Sequence, residues 1–244
     1  MKNNKTIIIV GGGHAGFEAA MAASKMKNNV LLFILDPLAA GRMSCNPSVG
    51  GLAKGHLVKE IDSIGGMMAM VSDIACIQHK TLNKSKGRAV WSPRSQVDKK
   101  IYSSAVCSLI KKEENIKIVK EEVVDVHLKK GRVVGVKTSN SQIFQGDAVV
   151  ITTGTFLDGI IHIGDSSYAA GRFGEKPSTS LTESLKIKGV VSGRLNTGTP
   201  PRLDANTIDW SVLEGSYGDK NPTPFSSRTN LPFTPPDLPS FITY

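Results

Sequence analysis

The chain has 244 residues, with 30 Lys and Arg against 21 Asp and Glu and a formal net charge of +9. This length is enough for one sizeable hydrophobic core, or for one domain and part of another. No stretch approaches the ~20 apolar residues of a membrane span, and the N-terminus lacks a signal-peptide pattern, so we expect a cytoplasmic protein without membrane contact. The 3 cysteines have neither disulfide nor metal-ligand spacing, and no metal site is predicted.

The first predicted elements are a strand and the helix that follows it. Residues 5–16 have the sequence KTIIIVGGGHAG, a β-branched run that ends in glycines and opens an alanine-rich helix. This pattern is typical of the first βα turn of a dinucleotide-binding domain. There Gly11 takes a positive φ, Gly13 lets the pyrophosphate approach, and Gly16 allows close helix packing. The predicted phosphate-binding residues are Gly11, Gly12, Gly13, His14, Ala15 and Gly16.

An acidic residue follows the second predicted strand, which spans residues 30–35. Asp36 lies 20 residues after Gly16, the spacing at which such domains place an acid on a ribose hydroxyl. Asp36 also precedes Pro37, a pair that starts turns. The ribose-binding and the turn-forming interpretations both stay open.

Two further helices are predicted after a loop rich in glycine and proline. The first spans residues 52–64 and ends at a pair of glycines. The second follows residues 92–94, and its apolar residues recur every four positions, as expected for one face of a helix. These residues are Val97, Ile101, Ala105 and Leu109. We expect both helices to cover the sheet.

Short strands dominate the next region. A strand at residues 116–119 precedes alternating segments between residues 123 and 144, which predict a three-stranded meander. Residues 148–151 then predict a buried parallel strand that returns to the nucleotide at a glycine turn containing Thr153 and Gly154. This order predicts an α/β fold of the glutathione-reductase type, in which a Rossmann-like parallel sheet with a β-meander binds FAD.

The composition changes near Gly198, where the chain becomes rich in proline. We therefore assign residues 1–200 to the first part of the FAD-binding domain and residues 201–244 to the start of an inserted second domain. The last six residues, 239–244, form an apolar strand-like run with no polar tail. We expect a truncated chain, the N-terminal piece of a longer polypeptide; a docked C-terminal strand is the alternative.

A cysteine lies in the loop after the second strand, in the segment SCNPSVGGLAKGH. A thiol at Cys45, near Lys54 and Arg42 and at the start of a helix, would have a lowered pKa and would be a better nucleophile. A small buried filler is the alternative for Cys45. His14 and His56 are candidates for acid–base groups or for structural hydrogen bonds.

Positive charge is concentrated between residues 79 and 100, where seven cations face the single acid Asp98 and give a net charge of +6. Such a concentration favours a polyanionic partner, and Trp91 within it could stack on a base. The alternative is a solvated basic loop with Trp91 as a core anchor. The predicted nucleic-acid contacts are Lys54, Lys84, Lys86, Arg88 and Arg94.

Several longer segments together resemble the MnmG (GidA) family. They are GGGHAGFEAA, SCNPSVGGLAKGHLVKE, TLNKSKG, GTFLDGIIHIG, GRFGEKPS and GRLNTGTPPRLD. The resemblance implies an FAD-dependent enzyme that works with the GTPase MnmE on tRNA. Together they add a carboxymethylaminomethyl or aminomethyl group to carbon 5 of the wobble uridine, using a folate one-carbon unit and glycine or ammonium.

The resemblance also implies residue roles and assembly. Val123 would lie at the adenine side, Ser178 would contact the flavin, and Cys45 would be the catalytic thiol. NADH would be the reductant, the inserted domain would be NADH-related, and the protein would form a homodimer and a heterotetramer with MnmE. The chain departs from the family pattern at Asn196, where lysine is common, and at Arg88, where proline is expected.

Three other functions compete with this one. A folate- and FAD-dependent tRNA uracil methyltransferase of the TrmFO type shares the fold, the cofactor and the RNA class. A flavin oxidoreductase acting on a small molecule shares the fold alone. The third alternative is a fragment that binds FAD or RNA without catalysis.

Overall fold

The computed structural model describes residues 4–190 and 193–242. The α-helices are α1 (His14–Lys25), α2 (Lys54–Ser63), α3 (Met68–Ile74), α4 (Lys99–Lys112) and α5 (Ser180–Ile187). The strands are β1 (Thr6–Val10), β2 (Asn29–Phe33), β3 (Ser48–Gly50), β4 (Cys76–Leu82), β5 (Ser92–Val97), β6 (Ile116–Val119), β7 (Val123–Lys129), β8 (Arg132–Thr138), β9 (Ile143–Gln145), β10 (Ala148–Ile151), β11 (Ile160–Ile163), β12 (Ser166–Ala169), β13 (Glu214–Ser216) and β14 (Ser240–Ile242). No helix in the described ranges is long and apolar enough to cross a membrane.

The chain divides into two compact units, each built from two stretches of sequence. The first unit comprises Met1–Arg42 and Val106–Asn196, and the second comprises Met43–Ala105 and Thr197–Tyr244. The pairing of residues 43–105 with the C-terminal stretch has no signal in the sequence. The assignment of residues 1–200 and 201–244 to an FAD-binding and an inserted domain stays a prediction.

A four-stranded parallel sheet with the order β10-β1-β2-β6 organises the first unit. Val10 lies beside both Phe33 and Ile151, so the carboxyl ends of three strands meet at one edge. After β1 the chain adds β2 and β6 on one side and then returns with β10 on the other. In open α/β sheets, such a reversal of strand order opens a ligand crevice at the carboxyl ends of the strands.

An antiparallel meander with the order β7-β8-β9 follows β6, as predicted. Its first hairpin turns at Lys130 and Gly131, which both have positive φ, 51° and 75°. Two consecutive positive φ values characterise the tight hairpin turn that suits the twist of antiparallel strands. The core of the unit joins the sheet, the meander and α5; it contains Ile8, Val10, Phe33, Val119, Val123, Val126, Val136 and Leu181. The predicted α/β fold, a Rossmann-like sheet with a β-meander, is confirmed.

The second unit contains the antiparallel sheet β3-β5-β4, on which α2 and α3 pack, and the hairpin β13-β14. The prediction that the helix at residues 52–64 covers the parallel sheet is wrong, because α2 packs on β3, β5 and α3. The packing is close: a Cβ on Gly55 would lie 2.6 Å from the carbonyl oxygen of Pro93. β14 confirms the strand-like character of residues 240–242; residues 243 and 244 lie outside the described residues.

The buried face of α4 differs from the predicted one by one position. Val97 is the last residue of β5, and the Asp98 carboxylate accepts hydrogen bonds from the backbone N–H groups at the start of α4. The helix therefore begins after this cap and buries Tyr102, Val106 and Ile110. Ile101, which was predicted on the buried face, is 49% exposed.

The strand β10 is parallel, as predicted, but it is not buried. Val150 and Ile151 are 37% and 36% exposed. Among the described strands, β10 pairs only with β1, and it stands at the edge of the sheet. A strand with one neighbour keeps more of its side chains exposed than the inner strand β1, whose Ile8 and Ile9 are fully buried.

Candidate functional site

An open cleft of about 830 Å³, solvent-open mouth included, lies at the carboxyl edge of the parallel sheet. It occupies the first unit, where the ends of β1, β2 and β10 meet. Of the residues predicted to bind the cofactor, it is lined by Gly11, Gly12, Gly13, Asp36, Val123, Thr153, Gly154 and Ser178. The remaining three, His14, Ala15 and Gly16, form the first turn of α1 beside it.

Backbone angles and close contacts within the protein explain why three residues of the turn are glycines. Gly11 has a φ of 112°, which side-chain-bearing residues rarely adopt. A Cβ on Gly12 would lie 2.6 Å from the side chain of Ile34. A Cβ on Gly16 would overlap the carbonyl oxygen of Gly11, so the start of α1 packs directly against the turn, as predicted.

Gly13 is different, because nothing in the protein requires a glycine there. Its φ of −71° and ψ of −172° are extended values open to any residue. An added Cβ would meet no atom within 4 Å and would project into open space. Gly13 lines the cleft and caps the N-terminus of α1, where free backbone N–H groups favour phosphate. The geometry therefore fits a dinucleotide whose pyrophosphate lies against Gly13.

Asp36 starts a turn, as one of the two interpretations predicts, and it also lines the cleft. Its carboxylate accepts a hydrogen bond from the backbone N–H of Leu38 at 3.0 Å and pairs with Arg42 at 3.2 Å. Arg42 also pairs with Glu175 at 2.8 Å, which fixes the two acids at the cleft wall. Sequence reasoning missed Glu175, because 133 residues separate it from Arg42 and no local spacing signals the pair. The ribose contact of Asp36 stays a prediction.

Other cleft residues also escaped sequence reasoning. The Thr152 hydroxyl donates to the carbonyl oxygens of Val10 and Gly11, at 2.9 and 3.1 Å, and so ties the end of β10 to the glycine turn. Glu121 and Glu122, which follow β6, line the cleft as well. Their only sequence signal is their position directly after a parallel strand. The described residues contain no cluster of three or more His, Cys, Asp or Glu side chains that could hold a metal ion.

The candidate nucleophile Cys45 lies in the second unit and is exposed, so the buried-filler interpretation is wrong. The Arg202 guanidinium donates to the carbonyl oxygens of Ser44 and Cys45, both at 2.9 Å. The Thr199 hydroxyl lies 4.0 Å from the Cys45 sulfur. The backbone around the thiol is therefore held in place while the thiol itself remains accessible.

Lys54 is the cation beside this thiol. It begins α2, and its ammonium donates to the carbonyl oxygen of Ser48 at 3.2 Å. Partial burial lowers the pKa of the Lys54 ammonium, and the Cys45 thiolate acts in the opposite direction. A lysine with a lowered pKa next to a thiol can take up the thiol proton. The other predicted cation, Arg42, is already paired with carboxylates of the first unit.

The basic segment, residues 80–94, is only partly free to meet a polyanion. Lys84 pairs with Asp219 at 2.8 Å, whereas Lys86 is exposed. The Arg88 guanidinium lies 5.6 Å from the ring centroid of Trp91, whose indole N–H donates to the carbonyl of Lys84. Trp91 is 37% exposed, so the core-anchor interpretation is wrong. Arg94 also belongs to this segment by sequence, but it lies on β5 and not in the loop that carries Lys84, Lys86 and Arg88.

A family model described as Glucose inhibited division protein A matches residues 6–244. The chain belongs to the GidA family. It is similar to the tRNA uridine 5-carboxymethylaminomethyl modification enzyme MnmG of Thermodesulfovibrio yellowstonii, with 49% identity over 98% of this chain and 38% of that protein. With the MnmG enzyme of Aliarcobacter butzleri it shares 47% identity over 99% of this chain and 39% of that protein. This GidA chain thus spans about two fifths of their length.

Solved structures agree with the family assignment. GidA of Aquifex aeolicus, in its form II crystal, matches with 46% identity and a TM-score of 0.89 over 93% of this chain and 37% of that chain. A GidA-related protein from Thermus thermophilus matches with 18% identity and a TM-score of 0.55, over 76% of this chain and 68% of that chain. The second likeness is one of fold alone.

Proposed function

We propose that the full-length protein is the FAD-dependent subunit of a tRNA-modifying enzyme. With the GTPase MnmE and a folate one-carbon unit, it adds a carboxymethylaminomethyl or aminomethyl group to carbon 5 of the wobble uridine. The observation that carries the proposal is the 49% identity, over 98% of this chain, to a relative named for this modification. NADH as reductant, a homodimer, a heterotetramer with MnmE and a cytoplasmic location belong to the same proposal.

The cleft of the first unit is the proposed FAD site. The pyrophosphate would lie against Gly13 and the first turn of α1. Nothing in the protein itself requires residue 13 to be a glycine. Asp36 would bind the ribose of the adenosine half, with Val123 at the adenine side and Ser178 near the flavin. Bound flavin would supply hydride transfer at the one-carbon unit.

The thiol loop of the second unit supplies the proposed reactive group. We propose that Lys54, whose pKa is lowered by partial burial, takes up the proton of the Cys45 thiol, and that the thiolate then bonds to carbon 6 of the uracil while the electron pair of the C5–C6 double bond moves towards carbon 5. Carbon 5 then becomes nucleophilic. Proton transfer by the thiol, without a covalent bond, is the second role open to Cys45. In both cases Arg202 keeps the backbone of the loop in place through the carbonyls of Ser44 and Cys45.

The basic segment would contact tRNA phosphates. Lys86 and Arg88 are exposed and have no carboxylate partner among the described residues. Arg88 also lies over Trp91, a pair that can stack on an unpaired base. Lys84 is a weaker candidate than its sequence suggests, because Asp219 already neutralises it.

The nucleoside formed by the full-length protein tests this proposal. The flavin-loaded protein would be incubated with its GTPase partner, a folate one-carbon donor, glycine and unmodified tRNA, and the tRNA digested for mass spectrometry. We expect 5-carboxymethylaminomethyluridine at the wobble position. A 5-methyluridine product would instead indicate the folate-dependent methyltransferase. Flavin turnover that is indifferent to RNA would indicate a small-molecule oxidoreductase, and bound FAD without any turnover a binding protein.

A further inference from the structure

Arg42 joins two segments that line the cleft of the first unit and lie far apart in sequence. The Nη2 group of its guanidinium pairs with Asp36 at 3.2 Å, and the Nη1 group pairs with Glu175 at 2.8 Å. Both acids line the cleft, whereas Arg42 is not one of the lining residues. Arg42 therefore acts on the cleft through these two carboxylates.

The wall segment, residues 171–178, is the part of the cleft wall that Glu175 belongs to. It begins with a tight turn, in which the backbone N–H of Gly171 donates to the carbonyl oxygen of Glu175 at 3.1 Å. At its other end the backbone N–H of Ser178 donates to the carbonyl oxygen of Phe156 at 2.8 Å. The Glu175 carboxylate thus links a segment of defined backbone geometry to the guanidinium.

Water reaches all three side chains of this link. Asp36, Arg42 and Glu175 are 48%, 43% and 29% exposed. Ion pairs of such exposure contribute little to the free energy of unfolding, because water screens them. Their effect is local: a link between two segments that line a cleft opposes the widening of the cleft, and a bound ligand leaves an open cleft when its lining segments separate.

We propose that Arg42 is a positioning residue that clamps the wall segment to the ribose-binding acid and so slows the release of FAD. This inference rests on the proposed function, in which Asp36 binds the ribose and Ser178 lies near the flavin. The Asp36 carboxylate is oriented in advance by the backbone N–H of Leu38 and by Arg42, so it loses less side-chain freedom when the cofactor binds. The pair with Glu175 adds the link to the segment that carries Ser178.

FAD release from the full-length protein, measured as exchange of radiolabelled FAD against an excess of unlabelled FAD, tests this clamp. FAD is an anion, so charge alone predicts faster release after loss of the Arg42 cation and slower release after loss of the Glu175 anion. The clamp predicts faster release in both variants, by about threefold in Glu175→Met and up to about tenfold in Arg42→Met. The double variant should release FAD no faster than Arg42→Met alone, because both changes break the same link.

Lys176→Met is the matched control. Lys176 is an exposed cation of the same wall segment, and it does not line the cleft. Its variant should release FAD at close to the wild-type rate. Slower or unchanged release in Glu175→Met would overturn the proposal, because Arg42 would then act through its charge or through Asp36 alone.

Denaturant unfolding of the FAD-free, full-length proteins separates a clamp from an ion pair that serves the fold. We expect the same unfolding midpoint for wild type and Glu175→Met, because the pair is exposed. A lowered midpoint in Glu175→Met would show a structural role, and the clamp would be wrong. A wild-type protein that retains FAD through this clamp but modifies no tRNA would refute the proposed function and leave the clamp standing.

Discussion

At the scale of single residues, Cys45 combines an accessible thiol with a fixed backbone. A residue needed only for packing would be buried, and a residue of a mobile surface loop would not have its carbonyl held by an arginine. Partial burial lowers the pKa of Lys54, and its ammonium interacts electrostatically with the thiolate form of Cys45. These features suit a chemical role for Cys45.

We predict that Cys45→Ser in the full-length protein keeps flavin and tRNA binding but forms the modified nucleoside at least ~100-fold more slowly. Serine has nearly the size of cysteine and is a far poorer nucleophile at neutral pH. The measurement is the rate of nucleoside formation by mass spectrometry. Cys107→Ser, at a half-buried cysteine, is the control and should retain activity. A normal rate in the Cys45 variant would show that the thiol has no part in the reaction.

Residue positions followed from the sequence where the signal was local. The positive φ of Gly11 and the contact of Gly16 with the turn could be predicted, because strand, glycines and helix are consecutive. The pairing of Arg42 with Glu175 could not, since tertiary structure alone brings these residues together. The site residues found only by structure, such as Thr152 and Glu175, share this long-range origin.

At the scale of elements, two acids on neighbouring helices hold one loop of the second unit. Asp62 of α2 accepts hydrogen bonds from Ser226 and Ser227 and pairs with Arg228 at 2.7 Å. Burial alone would raise the pKa of Asp62, but the hydrogen bonds, first of all that from Arg228, hold it below the usual value. Asp73 of α3 accepts from the same loop, and there burial prevails and raises its pKa.

We predict that Asp62→Asn lowers the free energy of unfolding by about 1–3 kcal/mol at neutral pH. Because the folded pKa of Asp62 is lowered, its ionisation stabilises the fold above the unfolded pKa of about 3.9, and this contribution disappears as pH falls through the folded pKa. The loss of unfolding free energy caused by Asp62→Asn should therefore become smaller below about pH 4. Denaturant unfolding across a pH series measures it.

Asp73→Asn is the matched variant, and the pH dependence of its effect on the free energy of unfolding should have the opposite sign. Because the pKa of Asp73 is raised in the fold, protonation stabilises the protein at low pH and this contribution is lost as pH rises through the raised pKa. The cost of Asp73→Asn should then decrease as pH rises. If both variants showed the same pH trend, this assignment of the two carboxylates would be wrong.

Element types were largely predictable, whereas their partners were not. Alternation and turn residues predicted the meander, because hairpin strands are joined by short local turns. The predicted buried face of α4 is one residue away from the observed one. The helix begins only after the cap at Asp98. A four-residue period is also compatible with two adjacent faces of a helix. The packing of α2 on β3 and β5 depends on sequence-distant contacts, which periodicity does not encode.

At the scale of the whole molecule, the net charge of +9 is unevenly distributed, and the exposed cations of the basic segment lie close together in sequence. Replacing Lys86 and Arg88 together by Gln should weaken binding of all substrate tRNAs alike. It should also reduce the log–log salt slope by about 2 units, roughly one for each lost phosphate contact. Filter-binding affinities over a salt series measure this, and flavin content should not change.

Two comparisons sharpen that experiment. The single variant Lys84→Gln should reduce the log–log salt slope less than Lys86→Gln or Arg88→Gln, because Lys84 is already paired with Asp219. A matched double variant, Lys129→Gln with Arg132→Gln, removes one exposed lysine and one exposed arginine from the β7-β8 hairpin. Superimposable salt curves for wild type and the Lys86 and Arg88 variant would place the tRNA surface elsewhere.

The central claim is that the cleft beside Gly13 holds FAD in the full-length protein, and flavin occupancy of Gly13→Val tests it most directly. The space that a side chain would enter is empty of protein atoms, so valine should leave the fold intact while filling the place of the pyrophosphate. Gly193→Val is the control, since a Cβ there also meets nothing within 4 Å. We predict that wild type and Gly193→Val purify yellow with near-stoichiometric flavin absorbance. Gly13→Val should be colourless with an unchanged circular dichroism spectrum; full flavin occupancy in that variant would contradict the account.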